Sequence, residues 1–234
     1  MSVAELQAEL AGAGFELTAP LARDVYDAHV APAWRCARVR PSCRTVLVVG
    51  SCGRGFWSCL ARAPEARDPE HPADRYTRRV LEQAAWRASP PATLALYFEQ
   101  RANSFLPLLK LAELAGIGAP GRIGILIHPV YGPWISLRGA LFVDEAIAAS
   151  PRRVRTLCED CPAPCESACR GRAISRSGLD ISLCTATKLV QPACASGCDA
   201  RCACVVGREH AFNADQIAHH SQMRAAASRW PTDK

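Results

Sequence analysis

Apolar residues recur at helical spacing in several stretches of the chain and at strand spacing in others, and the two kinds alternate. SVAELQAELAGAG (2–14) opens on Ser2 as a helix N-cap and stops at Gly12 and Gly14. RTVLVVG (44–50) is β-branched, apolar and closed by glycine, which predicts a buried strand. HPADRYTRRVLEQAAWRA (71–88) starts with Pro72 at a helix N-terminus and runs amphipathically. TLALYF (93–98) predicts a second strand, and FLPLLKLAELAGIG (105–118) a helix ended by glycine. GRIGILIHP (121–129) predicts a third strand, and WISLRGALFVD (134–144) a fourth that pairs with it. This order implies an α/β domain with a mixed sheet covered by helices. The expected division falls at 149/150, giving one domain over 1–149 and a second over 150–234.

The second domain reads differently. It is turn-rich and thiol-rich, with one helical stretch around LDISLCTATKLV and a terminal helix in NADQIAHHSQMRAAASRW. So little apolar material cannot build much core alone, and a bound metal cluster would supply the missing stabilisation.

Charge adds little. The net charge is +6, carried by scattered arginines of which Arg152, Arg153 and Arg155 are the densest run. No block of like charge marks a nucleic-acid arm, which argues against a nucleic-acid partner. The N-terminus has no signal pattern, and no apolar run approaches the ~20 residues of a membrane span. The expectation is a soluble cytoplasmic protein.

The chain has 13 cysteines, and nine of them lie between Cys158 and Cys204. A secreted disulfide scaffold would want a short chain with a signal peptide. Nine thiols with no interleaved histidine fit two [4Fe–4S] clusters better than zinc, which takes four ligands per ion. Paired-cluster ferredoxins share ligands crosswise: three closely spaced cysteines hold one cluster, and a fourth in the same run crosses to the other. Cys158, Cys161 and Cys165 form the first set here. Cys169 crosses to join Cys184, Cys194 and Cys198. The run departs from C-x2-C-x2-C-x3-C-P by one residue in its second gap and by Arg170 in place of proline. Cys202 and Cys204 compete to close the first cluster; Cys204 is favoured because ACVVG resembles the ACRGR around Cys169. Cys36, Cys43, Cys52 and Cys59 read as small buried hydrophobes.

Two weaker signals carry little. DAHVAP (27–32) falls one residue short of D-x-H-x-x-G, a motif that places histidine on cobalt, and His29 reads as exposed. VLVVGSCGRGF (46–56) is a strand, turn and helix without the G-x-G-x-x-G spacing of a phosphate loop.

The stretch RIGILIHPVYGPWISLRGALFV is more specific. A turn there exposes His128, Tyr131, Trp134 and Arg138 near one edge, a stacking and anion-binding combination. The pattern I-H-P-x-[YF]-G-x-W-x-x-x-R-G resembles the cobalamin-processing CblC family (MMACHC). VAELQAELAGAGFEL and DPEHPADRYTRRV extend that resemblance over roughly residues 3–145. GLDISLC, GCDARCAC and AGIGAPGRIGILIHP resemble segments of the epoxyqueuosine reductase family (QueG), in which a cobalamin domain precedes a double-[4Fe–4S] module.

The resemblance implies a flavin-reductase/nitroreductase-like sheet followed by a small two-cluster ferredoxin-like domain. It further implies an oxidoreductase that holds cobalamin, with the lower base removed, against His128, Tyr131, Gly132, Trp134 and Arg138. The two clusters would feed electrons from an external ferredoxin, flavodoxin or reductase. One departure matters. At the place of the epoxyqueuosine reductase general acid this chain reads YFEQRANSFLP, with Glu99 the nearest acid and off position. That favours cobalamin reduction or dealkylation over reduction of another small substrate. A ferredoxin-type carrier without corrinoid is the third reading.

Overall fold

The computed structural model describes residues 1–67, 70–101, 104–148 and 154–227. The expected boundary at 149/150, the Arg152–Arg153 pair, Asn103, the Asp68–Pro69 start of the DPEHPADRYTRRV segment and the end of the C-terminal helix lie outside these residues. The chain forms two compact units, one of Met1–Gly118 with Ile135–Val154 and one of Ala119–Trp134 with the residues from Arg155 onward.

In the sheet unit, helix α1 (Val3–Gly12) begins as its sequence dictates. Ser2 Oγ accepts from the Glu5 N–H at 3.4 Å, and the Ser2 N–H donates to Glu5 Oε2 at 2.8 Å. Strands β1 (Leu17–Ala22) and β2 (Thr45–Cys52) follow, then helices α2 (Gly55–Arg62) and α3 (Pro72–Arg87), strand β3 (Thr93–Leu96), helix α4 (Leu108–Leu114) and strand β4 (Ile135–Val143). All eight residues of β2 are buried, which explains its unbroken apolar run. The core gathers Leu6, Leu10, Phe15, Leu47, Phe56, Tyr76, Leu81, Leu96 and Leu141. Phe15, Phe56 and Tyr76 stack or meet edge to face at 5.3 to 6.1 Å.

The sheet differs from the mixed one expected. Its order is β1-β2-β4-β3, and every pairing in it is antiparallel. The strand–helix alternation is real, because α2 and α3 carry the chain from β2 to β3, which run the same way. The last strand, β4, inserts between them in the opposite sense, and no local pattern announces such an insertion. Nor do the expected third and fourth strands pair. Within GRIGILIHP only Leu126–Ile127 is extended, and it pairs with Ala119–Pro120. Gly124, at φ +72°, breaks the run.

In the cysteine-rich unit, helices α5 (Pro164–Ala168), α6 (Ile181–Val190), α7 (Pro192–Ser196) and α8 (Asp199–Cys202) are short, and α9 (Ala214–Ala227) is longer. Asp180 caps α6 by accepting from the Leu183 N–H at 2.9 Å. One buried apolar cluster of this unit joins Ile123, Ile127, Cys165, Ile174 and Ala200. Among the described residues no helix is long and apolar enough to cross a membrane.

Leu47, fully buried at the centre of the sheet unit, tests that core. Leu47→Ala should lower stability to denaturant by roughly 2–5 kcal/mol. A loss under about 1 kcal/mol would mean that β2 is not the packing centre described.

Candidate functional site

Four of the five residues singled out in the IHPVYGPW stretch lie in the cysteine-rich unit, and Arg138 lies in the sheet unit. Leu126–Ile127 leads into a tight reversal closed by reciprocal His128–Gly132 backbone hydrogen bonds, both 2.9 Å. His128 Nδ1 accepts the N–H groups of Val130 at 3.0 Å and Tyr131 at 3.1 Å. These bonds need the neutral ring with its Nδ1 lone pair free. Burial, and secondarily the neighbouring His210, hold the His128 value below its usual range. The Tyr131 ring sits between His128 at 4.9 Å and His210 at 4.7 Å.

The reversal packs backbone to backbone against residues 206–207. Gly132 has φ +55°, and a Cβ there would lie 2.0 Å from the Val206 carbonyl oxygen. Gly207 has φ +66°, and a Cβ there would lie 2.7 Å from the Tyr131 carbonyl oxygen. Arg201 completes the clamp. It donates from Nε at 3.2 Å and Nη2 at 2.6 Å to the Pro133 carbonyl. Its guanidinium lies 4.6 Å from the Phe212 ring centroid and 5.4 Å from that of Trp134. Trp134 is 2% exposed, and its indole N–H has no hydrogen-bond partner. The sequence reading passed over Arg201, His210 and Phe212. The only available signal was an arginine inside the GCDARCAC run.

Arg138 is the other buried cation. The β2–β4 register pairs Val49 with Gly139 and Gly50 with Leu137, so Arg138 is the extra residue of a β-bulge. It is 1% exposed, lies 4.2 Å over the Phe56 ring, and has Nε and Nη2 without hydrogen-bond partners. Burial pushes its guanidinium value down, while Tyr97 and Asp74 pull it up. The Tyr97 O–H donates to Asp74. Glu99 is committed elsewhere: its carboxylate accepts from the Leu96 N–H at 3.1 Å and meets Arg78 at 3.4 Å. His29 is exposed, its Nδ1 2.8 Å from the Val25 carbonyl.

Electrostatic coupling links Cys158, Cys161, Cys165 and Cys204, and separately Cys169, Cys194 and Cys198. Cys165 is pushed up by burial and then by Cys158, Cys161 and Cys204. Cys204 is pushed up by burial and by Cys158 and Cys161. Cys194 is pushed up by burial and by Cys169, Asp199 and Cys198, against Arg170. Cys202 is exposed and feels Cys198 among the thiols, not the Cys158 group. The Ala163 N–H points at Cys161 Sγ at 3.4 Å, and the Ala173 N–H at Cys169 Sγ at 3.3 Å. Such N–H···S bonds suit anionic sulfur.

Among the described residues no three His, Cys, Asp or Glu side chains converge on one ion position. A cubane spreads its four thiolates over four irons, so its ligands do not converge on a point. The all-thiol donor set therefore fits iron–sulfur clusters. Within the sheet unit, the unspent N–H donors of Arg138 suit a ligand that, like a corrinoid, carries amide and phosphate acceptors.

No family model matches the chain, and no curated protein matches it in sequence. Solved structures do match its fold. Epoxyqueuosine reductase from Bacillus subtilis aligns at a TM-score of 0.57 and 15% identity, over 92% of this chain and 68% of that one. The B12-trafficking protein CblC of C. elegans aligns at 0.55 and 13% identity, over 97% and 95%. The catabolic reductive dehalogenase NpRdhA aligns at 0.53 and 17% identity, over 91% and 33%. The chain thus spans about two thirds of the epoxyqueuosine reductase and a third of the dehalogenase. Both families whose segments the motifs resemble are thus among the structural neighbours of this α/β fold.

The His128 bonds give a pH dependence with a definite sign. A histidine whose folded value lies below its unfolded 6.5 favours the folded state above 6.5, and that contribution is lost as pH falls through the folded value. Hydrogen-exchange protection of the Val130 and Tyr131 amides should therefore fall between about pH 7 and pH 5 in the wild type. It should stay level in His128→Gln, whose side-chain carbonyl can still accept. Equal pH profiles for the two proteins would remove the role given to the ring nitrogen. Separately, Gly132→Ala should cost about 1–3 kcal/mol in stability, because both the positive φ and the Val206 carbonyl oppose a Cβ. A neutral effect in thermal unfolding would show that the clamp is loose.

Proposed function

We propose that this chain is a cobalamin-associated redox protein with two [4Fe–4S] clusters, acting as a reductase or dealkylase of the corrinoid. The observation that carries the reading is a fold similar to those of CblC and the epoxyqueuosine reductase, combined in one chain with nine cysteines between Cys158 and Cys204. Cys158, Cys161, Cys165 and Cys204 hold one cluster; Cys169, Cys184, Cys194 and Cys198 hold the other. Cys202 is the spare thiol. The clusters stabilise their unit, since metal–thiolate binding is folding free energy there.

Cobalamin, when bound, supplies a cobalt centre that accepts electrons and exchanges or loses its upper ligand. The chain's part is placement. In the sheet unit, Arg138 offers N–H donors to rim acceptors. In the cysteine-rich unit, half-buried His128 and Tyr131 present ring surface beside Gly132, whose close approach is to the Val206 carbonyl. An external ferredoxin, flavodoxin or reductase supplies the electrons. The absence of a free carboxylic acid at Glu99, which is bonded to Leu96 and paired with Arg78, favours reduction of the corrinoid itself over protonation of a second substrate.

One observation favours a second reading, an electron carrier without corrinoid. Gly132 and Trp134 are already buried against residues 206–212.

Anaerobic titration of the reconstituted protein with cob(II)alamin separates the two. A blue shift of the cobalamin band, marking loss of the lower base, is the expected result. An unchanged band beside intact cluster absorbance would leave the carrier reading. Iron content tests the ligand sets: Cys204→Ala should lose about half the iron and Cys202→Ala almost none. The reverse result would exchange their roles.

A further inference from the structure

Two four-thiolate clusters leave one of the nine cysteines between Cys158 and Cys204 over, and that one is Cys202. Its place in the fold is not that of an unrelated surface thiol. Cys198 is the N-cap of α8, and Cys202 is the last residue of that helix. The Cys198 carbonyl accepts from the N–H groups of Arg201 at 3.0 Å and Cys202 at 3.1 Å. The second bond closes one full helical turn. Residues four apart on such a turn share a face, with Cβ atoms about 5–6 Å apart.

Cys198 and Cys202 also border the same void, of about 10 Å³, which Lys188 of α6 and Ile217 and His220 of α9 line as well. A void near the size of one water molecule means that neither sulfur is closely packed on that side. Among the described residues no thiol of the first set lines it. Cys184 belongs to the second set and precedes Lys188 by four residues on α6, so the two share a face of that helix. The two thiols differ in access. Cys198 is half-buried and packs against the cluster around Ile123, whereas Cys202 is exposed. An exposed side chain is free to change its χ1 rotamer. The Lys188 ammonium beside the void favours the thiolate of whichever sulfur is off iron.

We propose that Cys202 is an alternate ligand of the second cluster, able to take the iron that Cys198 holds. The inference rests on the two-cluster reading above. When the Cys198 sulfur leaves its iron, the Cys202 thiol gives its proton to the Cys198 thiolate, and the Cys202 sulfur bonds the iron. One Fe–S bond breaks and one forms. The thiolate count stays the same, and no electron is gained or lost.

Iron content and alkylation of the reconstituted full chain test it. The wild type should hold about eight irons, and Cys194→Ala, which removes another ligand of the same cluster, about half as many. Cys198→Ala should hold as much iron as the wild type, and Cys198→Ala/Cys202→Ala about half. Native alkylation followed by trypsin reads the exchange directly. The peptide Cys202–Arg208 should take one label in the wild type and none in Cys198→Ala, where Cys202 sits on iron. Half the iron or less in Cys198→Ala, or a labelled Cys202 there, overturns the proposal and leaves the two-cluster reading standing. Full iron in the double variant overturns it too, since neither sulfur would then be needed. A wild type short of about eight irons overturns the two-cluster reading and this inference with it.

Discussion

The close approach of residues 131–132 to residues 206–207 is the constraint on which the cysteine-rich unit depends. Two glycines with positive φ face each other's neighbouring carbonyls at distances that no side chain tolerates. Arg201 fixes the contact with two hydrogen bonds to Pro133 and lies against Trp134 and Phe212. A buried guanidinium is expensive without partners, and here a carbonyl and two aromatic faces supply them. The segment from Cys198 to Cys204 surrounds this arginine. The same anchor therefore orders the IHPVYGPW reversal and the end of the cysteine run. A buried cluster of this unit includes Ile123 and Ile127 from the borrowed stretch. Without it, the short helices around the thiols would have little to pack on.

That borrowing explains the order of the chain. Trp134 ends the first segment of the cysteine-rich unit, and Ile135 begins the second segment of the sheet unit and β4. The strand that carries Arg138 thus begins where the clamp ends. Its place between β2 and β3 is non-local in sequence, joining residues near 47, 95 and 140. Because β4 is central, the bulge at Arg138 lies inside the sheet, where an extra residue turns its side chain toward Phe56 and Tyr97.

The sequence was most legible where the physics is local. The capping box at Ser2, the amphipathic run 72–87, the apolar β2 and the glycine ends of helices all act within a few residues. Strand β1 went unseen because LTAPLA carries a proline and only two buried positions. The antiparallel sheet went unseen because strand order is set by packing between distant segments. Arg201 looked like one more arginine in a turn-rich run. Its role rests on a carbonyl 68 residues away.

The two buried arginines make an instructive contrast. Arg201 has a carbonyl acceptor and two aromatic faces, so its burial is compensated from within the protein. Arg138 has the Phe56 face and the Tyr97–Asp74 pair, yet keeps two N–H groups unspent. Arginine cannot escape this by losing its proton, since its value stays far above neutral even when burial lowers it. Buried donors left unpaired cost free energy, so they are rare away from places where something else completes them. A bound acceptor at Arg138 would remove a cost that the fold alone leaves in place. By this comparison the burial of Arg201 is compensated within the protein and that of Arg138 only in part.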